Sequence, residues 1–215
     1  MPGSSESEVT SSLNAVHLGI GAGFFTCLTY PLVAFLPLPM LTKAILAACF
    51  GPALAVACFG LKGLLDLERP MVSSALGLLL NALAGVLFSA MALVQLAVGS
   101  LHSSEKVSAS LNGIWLGMDK AWDAYIGLGT ICFAVAMLRH PRFGRVFAFS
   151  GLAIGVSLLV LNFYTFPMPP ASAGLIDPGP VIGLWYLVVT IQMWRSLSWA
   201  MRCMPTNVGN TLTPD

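Results

Sequence analysis

Residues 71–99 read MVSSALGLLLNALAGVLFSAMALVQLAVG, a run without one Asp, Glu, Lys or Arg. As a helix rising about 1.5 Å per residue it would extend about 43 Å, more than the roughly 30 Å hydrocarbon core of a bilayer. The run is too long for a strand and lacks the polar–apolar alternation of a membrane barrel. Five further apolar stretches resemble it, at 14–36, 41–65, 111–138, 146–166 and 178–202. The expected fold is therefore all-α, a polytopic transmembrane bundle of about six helices.

Composition agrees. The chain has 215 residues, 57% hydrophobic and 9% charged, with a mean hydropathy of +0.84. A soluble domain carries about 25% charge, so lipid is the simplest solvent for this one. Ten Lys and Arg scattered over the chain form no basic stripe to track a phosphate backbone, which argues against nucleic acid as a partner. The expected organisation is a disordered Ser-rich tail (1–13), a six-helix membrane domain (14–202) and a C-terminal tail (203–215). Glu6 and Glu8 precede the first apolar stretch with no basic residue, unlike a secretory signal, so that stretch is expected to be a retained helix.

Proline marks the boundaries. Pro37 and Pro39 stop the first helix, since proline has no N–H and clashes with the preceding turn. Pro70 opens the third, and Asp177-Pro178 reads as a cap and first position of the sixth. Pro31 and Pro52 fall inside helices, where each should kink the chain and free a carbonyl. With the N-terminus inside, Lys62, Arg69, Arg139, Arg142, Arg145, Arg195 and Arg202 collect on the inner side, against Lys43, Lys106 and Lys120 outside. The positive-inside rule then puts both ends in the cytoplasm and the chain in the cell membrane.

Two patterns carry candidate roles. Ser73, Gly77, Asn81, Gly85 and Ser89 recur every four residues on the third helix. Such a small-residue ridge lets helices approach closely, within the bundle or between two copies of the chain. Asn81, near mid-membrane, needs a hydrogen-bond partner there. The second pattern is Asp119, Lys120, Trp122 and Asp123 in the outer half of the fourth helix. Asp119 and Asp123 share a face, Lys120 reaches Asp123, and Asp123 falls about one turn inside the apolar slab. Two carboxylates in one desolvated site would not both ionise cheaply, the basis for a proton relay. Trp, Tyr and Lys near a helix end also form the ordinary interfacial belt. Asn162, Tyr164, Trp185 and Tyr186 could converge with this cluster into an outward-facing pocket that is aromatic and partly polar.

Other chemistry has little support. His17, Gln192 and Arg195 stand on the inner side without a motif around them, and no zincin, nucleophile-elbow, P-loop or dinucleotide fingerprint occurs. Cys27, Cys49, Cys58, Cys132 and Cys203 include no C-x-x-C pair and no His at ligand spacing, so no metal and no cofactor is expected. The stretch Arg139-His140-Pro141-Arg142-Phe143-Gly144, with residues 162–186, resembles uncharacterised bacterial six-helix integral membrane proteins of the domain-of-unknown-function type. That resemblance covers the C-terminal half, implies a bacterial inner membrane and assigns no functional residue. The reading that follows is a non-catalytic membrane protein binding a small molecule or lipid in an outward-facing pocket, as a sensor or accessory subunit. The alternatives are a proton-coupled small-solute transporter using Asp119 and Asp123, and a membrane-embedded enzyme.

Overall fold

The computed structural model describes residues 4–100, 105–164 and 179–202. They form seven helices and no strand: α1 (Ser4–Phe35), α2 (Met40–Leu65), α3 (Val72–Ser100), α4 (Glu105–Met137), α5 (Gly144–Phe163), α6 (Gly179–Arg195) and α7 (Leu197–Arg202). Four are long and apolar enough to cross a bilayer, over Leu13–Val33, Met40–Leu65, Val72–Gly99 and Gly144–Asn162. Of the other two expected spans, α4 has 33 residues but carries Asp119, Lys120 and Asp123, and α6 has 17. Both pack among the four in one bundle.

Three boundaries differ from the sequence expectation, one being the start of α4 at Glu105 rather than 111. α1 already begins at Ser4, within the segment expected to be a disordered tail. The stretch expected as one helix over 178–202 breaks at Ser196. There the Arg142 guanidinium donates to the Arg195 carbonyl at 3.2 Å, supplying a hydrogen bond from outside the helix at the break. The Pro167–Pro170 segment, the Asp177-Pro178 start and the tail beyond 202 lie outside the described residues.

Glycines set the distances between helices. A Cβ on Gly19 of α1 would come 2.6 Å from Cα of Gly60 on α2, and one on Gly85 of α3 would come 3.0 Å from Cα of Gly51 on α2. At these two crossings backbone lies against backbone, as small residues permit where lipid removes the hydrophobic incentive to pack. Gly127 of α4 meets Gly155 of α5 in the same way. Residue numbers run oppositely across each contact, so α1 to α5 are antiparallel neighbours in chain order. α6 then lies along α1, where Gly23 faces Thr190, and touches α5 more lightly.

The ridge on α3 serves two neighbours. Gly77 faces Phe133 and Asn81 faces Gly129, both on α4, whereas Gly85 and Ser89 face Gly51 on α2. The reason is geometric: a four-residue step in a helix of 3.6 residues per turn drifts about 40° around its axis. Ser89 Oγ accepts the Gly51 N–H at 2.9 Å, one residue before Pro52 inside α2.

The outer surface is apolar. Leu18, Phe25, Leu28, Val86, Phe149, Val160 and Leu184 all point outward. Buried positions include Thr29, Ser74, Asn81, Asp123, Thr130, His140 and Asn162. Apolar groups outside and hydrogen-bonded polar groups inside are what a hydrocarbon solvent selects.

Candidate functional site

Polar side chains occupy three levels of the bundle. The first lies at the end where α4 starts and α5 finishes. Lys120 is two turns before Gly127, and Asn162 two turns after Gly155. Because those glycines bring the antiparallel helices together, the two side chains meet, and Lys120 Nζ donates to Asn162 Oδ1 at 2.6 Å. Asn162 Nδ2 donates to the Leu158 carbonyl at 3.2 Å, fixing which way the amide points. Asp123 is buried, 7% exposed, and Asp119 is half-buried one turn before it; each is engaged by a neighbouring group. Trp122 turns instead to the aromatic core, its ring 5.3 Å from Phe88 and 6.3 Å from Phe50. Tyr164, just past the end of α5, is exposed.

The second level is the middle. Tyr186 of α6 donates its hydroxyl to Asn81 Oδ1 of α3 at 2.6 Å. Asn81 Nδ2 donates to the Gly77 carbonyl at 2.7 Å. Thr130 Oγ1 of α4 lies 3.2 Å from the Tyr186 oxygen and 2.7 Å from the Ile126 carbonyl. Tyr186 has one proton, committed to Asn81, so the Thr130 proton goes either to Ile126 or to the tyrosine oxygen. Gly129 makes this possible, since a Cβ there would collide with Asn81 Nδ2. Beside the knot, Trp185 Nε1 donates to Ser150 Oγ of α5 at 3.2 Å. Thr130 is ten residues along α4 from Lys120, so this level lies about 15 Å deeper. The structure therefore brings Lys120 and Asn162 together and places Trp185 and Tyr186 at another level.

The third level, at the opposite end, includes Gln192 and Arg195, which stand out in the sequence without a motif around them. Asp66, after α2, accepts from Lys62 Nζ and from Ser74 Oγ, both at 2.6 Å, and so ties the α2–α3 turn. In the α4–α5 turn, Gly144 takes φ +66°, a left-handed conformation open to glycine. Arg142 reaches across that turn to Ser196 Oγ at 3.3 Å and to the Arg195 carbonyl, while Gln192 Nε2 donates back to the Arg142 carbonyl. His140 is 3% exposed, between the rings of Phe143 and Trp199. Its Nδ1 accepts the Arg142 N–H, and its Nε2 has no hydrogen-bond partner. Burial pushes its pKa below the usual 6.5, and Arg142 adds to this, against the opposing pull of Glu68 and the Leu64 backbone. The sequence signals here are the dense charge of 139–145 and the polar side chains Gln192 and Arg195 on α6.

Two grooves open on the apolar outer surface. One, about 550 Å³, lies between α1 and α2 beside His17, Gly21 and Pro52. The other, about 280 Å³, lies between α5 and α6 beside Phe147, Ser150, Ile154, Leu184, Trp185 and Val188. Among the described residues, no three His, Cys, Asp or Glu side chains come together to hold a metal ion. Comparison with family models, with curated proteins and with solved structures finds no match.

Proposed function

We propose that this membrane-embedded helical protein binds a small polar or amphiphilic molecule at the Lys120 end, as a sensor or accessory subunit rather than a catalyst. The observation that carries the reading is the Lys120–Asn162 hydrogen bond beside the buried Asp123. Charged groups withdrawn from water between membrane helices are costly to keep, and a ligand with complementary polar groups gives them a use. The proposed orientation puts this end outside. The opposite end gathers Lys62, Arg69, Arg139, Arg142, Arg145, Arg195 and Arg202, the arrangement expected of a cytoplasmic face with six spans and both termini inside. The resemblance of the C-terminal half adds a bacterial inner membrane.

The test is the set of small molecules and lipids released from purified protein and measured by mass spectrometry. A species bound by wild type should be lost from Asp123→Asn and Lys120→Met, each checked for an unchanged melting profile. Equal occupancy in all three proteins would remove the reading. A second reading, a proton-coupled carrier, is favoured by the polar side chains at three levels along one axis. Reconstituted protein should then move protons or solute under an imposed pH gradient, and an inert preparation would end that reading.

A further inference from the structure

We propose that the groove between α5 and α6 is a binding site for an anionic phospholipid, with one acyl chain between the helices and the phosphate at Arg142, Arg145 and Arg195. The groove runs along α5 from Val146 to Ile154, eight residues or about 12 Å, most of the depth of one leaflet of a roughly 30 Å core. Its wall is apolar in effect as well as in composition. The Trp185 N–H is committed to Ser150 Oγ, and the Ser150 hydroxyl donates to the Phe147 carbonyl at 3.1 Å. No described polar group in the groove is left asking for water, so a hydrocarbon chain fits and a polar metabolite does not.

The groove also has a charged end. Val146 follows Arg145 directly in the chain, and Arg195 ends α6, the other wall. Arg142 lies between them, with Nε and Nη2 bonded to Ser196 and the Arg195 carbonyl across the gap. Among the described residues no ion pair is seen at Arg142, Arg145 or Arg195. Arg145 and Arg195 are exposed. Guanidinium groups take phosphate oxygens in paired hydrogen bonds, and basic pockets between membrane helices hold anionic headgroups. An apolar slot with three arginines at one end, none in an ion pair with a described carboxylate, matches an amphiphile with an anionic head. This site lies at the opposite end of the bundle from Lys120, and its test does not depend on the ligand proposed there.

The experiment uses the full chain in nanodiscs and reads Trp185, which lines the groove. Phosphatidylglycerol and phosphatidylcholine with brominated acyl chains are titrated in turn, bromine being a contact quencher of tryptophan. Brominated phosphatidylglycerol should quench at roughly thirtyfold lower mole fraction, as expected for two surface arginines near an anionic headgroup. The preference should vanish in the Arg145→Gln/Arg195→Gln variant and weaken in Arg145→Gln alone, whose side chain makes no described hydrogen bond. It should also vanish in Trp185→Phe. Equal quenching by the two lipids would overturn the proposal, as would a preference that survives loss of either the arginines or Trp185.

Discussion

α5 has two neighbours and packs on them in different ways. Against α4, Gly155 meets Gly127, and the backbones touch. Against α6, Gly151 meets Trp185, so a ring fills the space and a groove opens beside it. Small against small closes an interface; small against large anchors one point and leaves the flanks apart. In lipid, where apolar side chains gain nothing by leaving the solvent, that difference sets the stability of each contact.

Four substitutions test the contrast. Gly155→Leu should do most harm, because even its Cβ would come 2.8 Å from the Gly127 carbonyl oxygen. Overpacking of this kind should cost at least about 1–3 kcal/mol in chemical unfolding. Gly183→Leu, on α6 with nothing within 4 Å of its Cβ, should stay within about 0.5 kcal/mol; a loss equal to that of Gly155→Leu would show that backbone contact is not what makes Gly155 sensitive. Tyr186→Phe removes the 2.6 Å bond that ties α6 to α3. It should cost about 1 kcal/mol and speed amide exchange in α6 more than in α4. Ser150→Ala takes the acceptor from Trp185 Nε1 at a single anchored point of the loose side. A loss of about 0.5 kcal/mol is expected, with a shift in tryptophan emission.

The smallest effect is a slope. His140, in the turn between α4 and α5, has a folded pKa below the ordinary 6.5. Below 6.5 the unfolded chain therefore binds more protons than the folded one. Stability should be level above 6.5 and decline as the pH falls from there toward the folded value. Comparing His140→Leu with wild type across 6.5 isolates the contribution, and an identical slope in both proteins would show that another group is responsible.

Much of the fold is legible in the sequence because one-dimensional signals carry it. Uninterrupted apolar runs mark the helices, and the four-residue step on α3 marks its small ridge. Asn81, alone in an apolar run, announced the need for a partner. What the sequence lacked was register. Lys120 and Asn162 are 42 residues apart, and only the Gly127–Gly155 contact sets them opposite each other. Tyr186 is 105 residues from Asn81 and reads equally well as an aromatic of the interfacial belt. The sequence shows the members of the clasp around Arg142 but not their pairing, because part of it runs between side chains and backbone carbonyls, which every residue possesses.

The hydroxyl of Ser89 has a consequence for how the chain enters a membrane. Proline inside a membrane helix disturbs the hydrogen bonding of the turn around it, and beside Pro52 a backbone amide of α2 is held by a side chain of α3. At the other end of the same two helices, Asp66 binds Lys62 of α2 and Ser74 of α3. A helix with a backbone amide bonded to its neighbour beside a proline, and with its turn tied to that neighbour, suits the bilayer better as half of a hairpin than alone. Biosynthetic insertion of α2 should therefore be more efficient when α3 follows it out of the translocation channel than when the chain stops after α2.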